Sequence, residues 1–129
     1  MKRILLALFA MVTLLTAVGS AFAHHSFAAT YDQDRKIKIE GTVKEFLWRN
    51  PHSFIKIEVT DAKGETVLWT TEWASPTQLS EGRLTKTTLR PGDKVTVIGA
   101  PGRDPDAHRI RVTSVLRQDG SKVWEGVIQ

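Results

Sequence analysis

A strict alternation of apolar and polar residues constrains the fold of this chain more than any other feature. In residues 37–43, isoleucine, glycine and valine alternate with lysine, glutamate and threonine. Successive side chains of a β-strand point to opposite faces, so this period predicts a strand with one buried face. The same period predicts further strands at residues 54–60, 66–73, 94–99, 109–116 and around 123–124.

Turn and cap residues separate these strands and predict a single short helix. The alternation changes phase near Glu45, which indicates a bulge or bend, and Asn50-Pro51 ends the first strand because proline lacks a backbone donor. Ser75, Pro76 and Gln78 form the pattern of a capping box, so we expect a helix over residues 76–81 that ends near Gly82.

The order of elements is therefore three strands, one short helix and further strands. This order predicts an all-β fold with minor α content, namely a small five- to six-stranded barrel of the OB type with its helix between strands three and four. A small antiparallel roll or an open sandwich is the alternative. We expect residues 24–129 to form one such domain.

The first 23 residues have the pattern of a signal peptide. Lys2 and Arg3 precede an apolar run from residue 4 to about 18, and Ala21-Phe22-Ala23 fits the site that signal peptidase cuts. We expect a periplasmic or secreted protein without a membrane anchor after cleavage. An uncleaved anchor or a buried helix is the alternative, and a cut after Ala28 would also fit the cleavage rule.

Charge and cysteine content limit the partners of the processed chain. The 129 residues carry a net charge of +4, and removal of Lys2 and Arg3 leaves +2. A mildly basic surface of mixed sign gives no reason to expect nucleic acid as a partner, and we predict none. There is no cysteine, so neither disulfides nor a lipoprotein anchor can form. A periplasmic protein is a candidate partner, and the composition favours no particular oligomeric state.

The histidines form the candidate metal site. A cut after Ala23 makes His24 the first residue, and its free amine and imidazole can chelate a metal together. His25, His52 or His108 would complete a nitrogen site, which favours copper as Cu(II), with zinc as the less favoured ion. The alternative is that these histidines are simply solvated.

A second cluster, Trp48-Arg49-Asn50-Pro51-His52-Ser53, lies between the first two predicted strands. Its aromatic, cationic and polar side chains predict a binding mouth in which Trp48, Arg49, Asn50 and Ser53 contact a ligand. Trp69 and Trp73 would extend an aromatic wall, although tryptophans in strand phase more often fill a core. The motifs of hydrolases and of phosphate-binding loops are missing, so we do not expect an enzyme.

Two motifs give the chain a family resemblance. His24-His25-Ser26-Phe27-Ala28 and Asn50-Pro51-His52-Ser53, with Tyr31-Asp32, Gly41-Thr42-Val43 and Pro91-Gly92-Asp93, resemble a bacterial domain-of-unknown-function family of small exported proteins. The resemblance implies export, a single β domain, and a site that includes His24, His25 and His52. The leading histidine also resembles the copper brace of lytic polysaccharide monooxygenases.

These observations lead to two functional hypotheses. The first is a periplasmic protein that binds Cu(II) through its processed N-terminal histidine, for metal binding or delivery. The second is a metal-free module of the cell envelope that holds a protein or a small ligand at residues 48–53.

Overall fold

The computed structural model describes Met1 and residues 27–126 of the chain. Residues 27–30 are helical and belong to a different unit from residues 31–126. Within residues 31–126 the structure has six strands, an α-helix and a short 3₁₀ helix. In chain order they are β1 (Ile37–Leu47), β2 (Phe54–Thr60), β3 (Thr66–Glu72), α1 (Pro76–Glu81), β4 (Lys94–Pro101), the 3₁₀ helix (Pro105–Ala107), β5 (Arg109–Arg117) and β6 (Lys122–Glu125).

The strands form one sheet that closes into a barrel. Its order is β3-β2-β1-β4-β5-β6, and a parallel pairing of β3 with β5 joins the two sides. In that pairing Thr70, Thr71 and Glu72 lie opposite Arg109, Ile110 and Arg111. We call this pairing the seam. The first half of β5 pairs with β3, and its second half pairs with β6, which is an additional strand beyond the closed five.

This topology confirms the predicted OB-like barrel and excludes the roll and the open sandwich, since both of those would leave β3 and β5 unpaired. The predicted strands coincide closely with the observed ones. The bulge also occurs where the phase change placed it, because the β1–β2 register shifts between Val43 and Glu45.

Two glycines allow neighbouring strands to approach closely. A β-carbon on Gly99 would lie 1.9 Å from the carbonyl oxygen of Arg111, and one on Gly41 would lie 2.3 Å from that of Glu58. Both separations are far below any real carbon–oxygen contact, so no side chain fits at either position. Gly99 also borders a register shift between β4 and β5, which lets the sheet bend as it closes.

The core lies inside the barrel and is built from the residues that the alternation turns inward. Trp73 is fully buried there, and α1 contributes Leu79. The other apolar side chains with a relative exposure of zero are Val43, Ile55, Ile57, Val97, Ile110, Val112 and Val115. Ring contacts of Trp73 with Phe46 at 5.6 Å and Trp124 at 5.7 Å connect β1 and β6 to this core.

Helix α1 begins and ends as the sequence indicates. The Ser75 hydroxyl accepts a hydrogen bond from the backbone of Gln78, and the Gln78 side chain accepts one from the Ser75 backbone. Gly82 is the C-cap, but the left-handed residue is Arg83, with φ 63°. Within residues 27–126, no helix has the length and apolar character needed to cross a membrane.

Candidate functional site

The six residues 48–53 connect β1 to β2, and we call them the β1–β2 corner. Arg49, Asn50 and Pro51 are exposed, and Trp48 is half-buried with its ring edge-on to Phe46 at 5.6 Å. The Arg49 guanidinium lies 4.9 Å from the centre of the Phe54 ring, which is a cation–π distance. Arg49 and Asn50 thus lie where a ligand can reach them.

Ser53 differs from its neighbours because it is fully buried. Its carbonyl accepts from the backbone of Trp73 and its N–H donates to the carbonyl of Ala74, so it continues the β2–β3 pairing toward the core. The corner therefore has an exposed part, Arg49 to Pro51, and an interior end. The Ser53 hydroxyl belongs to the interior and does not line an open mouth.

His52 contacts a buried carboxylate. Its Nδ1 lies 2.8 Å from Oε1 of Glu72, and the other carboxylate oxygen of Glu72 accepts from the Tyr31 hydroxyl at 2.5 Å. A guanidinium nitrogen of Arg109 lies 3.6 Å from that same oxygen. We call these four residues the Glu72 cluster.

The strand pattern explains why these groups meet. Thr71 and Trp73 turn inward, so Glu72 points to the outside of the barrel, level with Phe54 on β2 and Arg111 across the seam. The side chain of Glu72 is nevertheless only 11% exposed. The segment that begins at Tyr31 runs beside the end of β4, where the Asp32 N–H donates to the Pro101 carbonyl.

The electrostatics of the cluster centre on the Glu72 carboxylate. Burial, and then the hydrogen bond and negative charge of Glu72, raise the pKa of Tyr31 well above its ordinary value. The phenol therefore stays protonated and donates at neutral pH. Burial lowers the pKa of Arg111, while the nearby charge of Glu72 acts in the opposite direction.

This geometry fixes the tautomer of His52. A carboxylate accepts hydrogen bonds, so Nδ1 of His52 is the donor in this contact. In the neutral ring the lone pair is then on Nε2. Carboxylates orient metal-binding imidazoles in this same way, by accepting from the nitrogen that does not bind the metal.

His108 lies in a different environment. It follows the 3₁₀ helix with φ 44° and ψ 55°, in the left-handed region, and its ring centre is 5.4 Å from that of Trp69. Across the described ranges, no three histidine, cysteine or acidic side chains are grouped closely enough to hold a metal. His52 and His108 therefore do not form a metal site with a carboxylate there. His24 and His25 lie outside the described residues, so their predicted role stays a prediction.

Trp69 and Trp73, the two tryptophans predicted to form an aromatic wall, lie in different environments. Trp73 is buried in the core, as the alternative interpretation held, whereas Trp69 is only partly buried and borders a cavity near the seam. A continuous wall formed by both rings is absent.

Sequence reasoning did not identify Glu72, Tyr31 or Arg109 as parts of a site. Glu72 is one of many scattered acidic residues in the sequence, and no local motif sets it apart. Its partners come from three distant segments that only the barrel closure brings together. Tyr31 did belong to the family motif, and that was the single available signal.

The family comparison covers most of the chain. Residues 11–111 match the family of unknown function DUF6152. The chain belongs to this family. The predicted family resemblance is thereby confirmed, while the family itself assigns no activity. No curated protein sequence matches this family member.

Three solved structures are similar in part to this DUF6152 protein. TiaS, in its complex with a transfer RNA and ATP, is 20% identical with a TM-score of 0.47. The aligned region covers 67% of this chain and 19% of the TiaS chain. The mitochondrial single-stranded DNA binding protein Rim1 of S. cerevisiae is 16% identical with a TM-score of 0.47, covering 71% and 97%. The yeast Stn1 and Ten1 structure is 19% identical with a TM-score of 0.40, covering 64% and 42%. This chain thus spans about a fifth of TiaS.

These comparisons correct one prediction. Nucleic acid was excluded as a partner, yet one of the similar structures is a complex of TiaS with a transfer RNA and another is a single-stranded DNA binding protein. The exclusion is wrong. It rested on the net charge, which sums the whole surface and does not describe the charge on any one face.

Proposed function

We propose that this protein binds a divalent metal ion, with His52 as one ligand and Glu72 as the carboxylate that orients it. The observation that carries the proposal is the 2.8 Å contact between Nδ1 of His52 and Oε1 of Glu72. The protein's role is metal binding or delivery in the periplasm or outside the cell, with no catalysis of its own.

The surroundings of Glu72 favour an orienting role over direct coordination. One carboxylate oxygen is engaged by Tyr31, and the Arg109 guanidinium lies 3.6 Å from the same oxygen. A cation held this close opposes a metal ion on Glu72 itself. The half-buried imidazole of His52, whose side chain is 23% exposed, is the group through which the cluster reaches a metal.

The choice of metal follows from the available ligands. The chain has no cysteine, and both methionines, Met1 and Met11, belong to the predicted signal peptide. Soft sulfur ligands are thus excluded from the processed chain, and nitrogen donors remain. Nitrogen sites of tetragonal geometry favour Cu(II), and zinc is the second choice. The further donors that this proposal invokes are the predicted His24, with its free amine, and His25.

The test is a Cu(II) titration of the exported protein, followed by electron paramagnetic resonance. Intact mass first establishes whether His24 is the N-terminal residue. We expect His52→Gln to weaken copper binding more than any other barrel substitution and to change the nitrogen hyperfine pattern. Glu72→Gln should weaken binding by about 10- to 100-fold, the usual effect of losing an orienting partner.

His108→Gln is the matched control, because His108 is half-buried against Trp69 and lies apart from Glu72. It should leave both the affinity and the spectrum unchanged. Equal affinities for the His52→Gln and His108→Gln proteins would refute the role of His52. If removal of His24 abolishes copper binding while His52→Gln does not weaken it, only the N-terminal part of the proposal is supported.

The metal-free module is a second candidate, favoured by the exposed Arg49 guanidinium on the Phe54 ring. Arginine is one of the residue types enriched at the energetically dominant positions of protein interfaces. Under this hypothesis the histidine variants bind copper equally weakly. Arg49→Ala then abolishes the binding of an envelope partner, while Lys63→Ala, on the exposed β2–β3 turn, does not.

A further inference from the structure

A second site lies near the opposite end of the seam from His52. Between the start of β1, the middle of β3 and the β4–β5 loop there is a cavity of about 280 Å³, which we call the Trp69 pocket. Its lining includes Trp69, Arg35, Arg103, Asp104, Pro105 and Arg109. Its volume is close to the lower end of the range for small-molecule sites.

One side of the pocket is aromatic. Trp69 is partly buried, and the His108 ring packs against it with centres 5.4 Å apart and planes inclined by 48°. The backbone also holds this region, because the Thr70 N–H donates to the His108 carbonyl at 3.0 Å. A fixed indole at the mouth of a cavity is a surface on which a planar ring can stack.

The remaining side is cationic. Three arginines, Arg35, Arg103 and Arg109, line the pocket with one acidic residue, Asp104. The Asp104 carboxylate already accepts from the Asp106 backbone as the cap of the 3₁₀ helix. The acidic contacts of Arg35 and Arg109 are long, at 4.0 Å to Asp32 and 3.6 Å to Glu72. The exposed Arg35 guanidinium can therefore turn toward an incoming anion, while Arg109, which also lies 5.7 Å from the centre of the Tyr31 ring, adds positive charge from where it stands.

The loop that carries Arg103 is held in place before any ligand arrives. Gly102 donates to the carbonyl of Arg109 at 2.8 Å, and Ala107 donates to that of Asp104 at 3.3 Å. A pocket built on such a loop loses little conformational entropy on binding, which favours affinity.

We propose that the Trp69 pocket binds a planar ring that carries a phosphate group. The indole would stack on the ring, and the arginines would bind the phosphate. A phosphate suits the pocket better than a carboxylate, because its tetrahedral oxygens, three terminal ones in a monoester and two in a diester, can face different guanidinium groups, whereas the two oxygens of a carboxylate lie in one plane.

An adjacent cavity points to the class of ligand. It has a volume of about 170 Å³, shares Arg35 with the Trp69 pocket, and adds Lys36 and Arg111. The cationic surface therefore continues beyond the space that one ring and one phosphate would fill. This continuation favours a single-stranded oligonucleotide, which carries successive phosphates, over a free mononucleotide.

The experiment measures the binding of four probes to the purified full-length protein. They are adenosine 5′-monophosphate, adenosine, inorganic phosphate and a fluorescent oligomer of eight deoxythymidines. We expect the monophosphate to bind about tenfold more tightly than adenosine or phosphate, because only it makes both kinds of contact. The oligomer should bind most tightly, with a logarithmic salt slope of about −2 for three neutralised phosphates.

Three substitutions test the assignment. Arg103→Gln, on an exposed side chain, should weaken oligomer binding about tenfold, whereas Arg90→Gln, on the exposed turn before β4, should have no effect. Trp69→Leu should weaken it by about tenfold or more, and Trp69→Phe, which keeps a ring, should retain most of it. Circular dichroism of each variant confirms that the barrel is intact.

Binding of the monophosphate as tightly as the oligomer would support the pocket with a free nucleotide as its ligand. Equal binding of all four probes, or Arg103→Gln and Arg90→Gln proteins that behave alike, would overturn the proposal. Arg109 belongs to both the Glu72 cluster and the pocket, but His52→Gln removes only the proposed metal ligand. It should leave oligomer binding unchanged, so failure of one proposal can be told from failure of the other.

Discussion

The hydroxyl of Tyr31 provides a way to measure how strongly the Glu72 cluster stabilises the barrel. Tyr31 is 1% exposed and donates to the Glu72 carboxylate at 2.5 Å. Tyr31→Phe removes this hydroxyl and keeps the buried ring. The substitution therefore isolates one hydrogen bond to a charged acceptor.

The expected loss follows from the acceptor that remains. Hydrogen bonds to charged groups contribute about 1.5–3 kcal/mol, and more when the acceptor is left poorly satisfied. After the substitution, the Arg109 guanidinium nitrogen lies 3.6 Å from that oxygen of Glu72, which is beyond a normal hydrogen bond. We therefore expect a loss of about 2–3 kcal/mol in the free energy of unfolding, or about 10–20 °C in Tm.

Thr71→Val is the matched comparison. Thr71 is also fully buried, and its hydroxyl donates to the carbonyl of Ile55 at 3.0 Å, a neutral acceptor. Valine keeps nearly the same shape, so this variant should lose only about 1 kcal/mol. The assay is urea and thermal unfolding followed by tryptophan fluorescence. A loss for Tyr31→Phe no larger than that for Thr71→Val would refute the charge-assisted role of Glu72.

Two further predictions concern pH and chain packing. Because the pKa of Tyr31 is raised in the folded state, its contribution is fully present below the unfolded pKa of about 10 and is lost as pH rises above it. The wild-type protein should therefore lose about 1.4 kcal/mol per pH unit above pH 10 relative to Tyr31→Phe, in denaturation series at matched pH. A constant difference between the two proteins over this range would contradict the raised pKa. Gly99→Ala should cost about 3 kcal/mol or more, since its β-carbon would overlap the Arg111 carbonyl. Gly102→Ala is the control, because its β-carbon would meet ordinary contacts at 3.4 Å, and it should change the free energy of unfolding by less than about 1 kcal/mol. Similar losses for the two variants would show that the strands at Gly99 can move apart without cost.

The elements of the barrel were predictable because their signals are local. The alternation in residues 54–60 and the capping box at Ser75 and Gln78 act within a few residues, and both are observed. The sequence predicted that the strands form a closed barrel of the OB type, but not which residues pair to close it. No feature of the sequence states that Thr70 pairs with Arg109.

The candidate site was predictable only in part, for the same reason. The sequence singled out His52 and Arg49, but the partner of His52 is Glu72, whose importance depends on contacts across the barrel. Ser53 is polar and was predicted to contact a ligand, but it is fully buried. It continues the inward-facing alternation of Ile55 and Ile57 to the residue just before β2. The site residues that the sequence missed are those that tertiary contacts alone define.

The shortness of the β3–β5 pairing has a consequence for how the molecule opens. The seam joins three residue pairs from segments distant in the chain, whereas β2 and β3 are joined by a tight turn and pair along seven. Forming the seam therefore costs more loop-closure entropy than forming the β2–β3 pair, and fewer backbone pairings compensate for that cost. Local opening of the barrel should therefore begin at the seam. Because Glu72 and Arg109 both belong to the seam, a ligand bound at the proposed metal site or in the Trp69 pocket would stabilise the closed barrel.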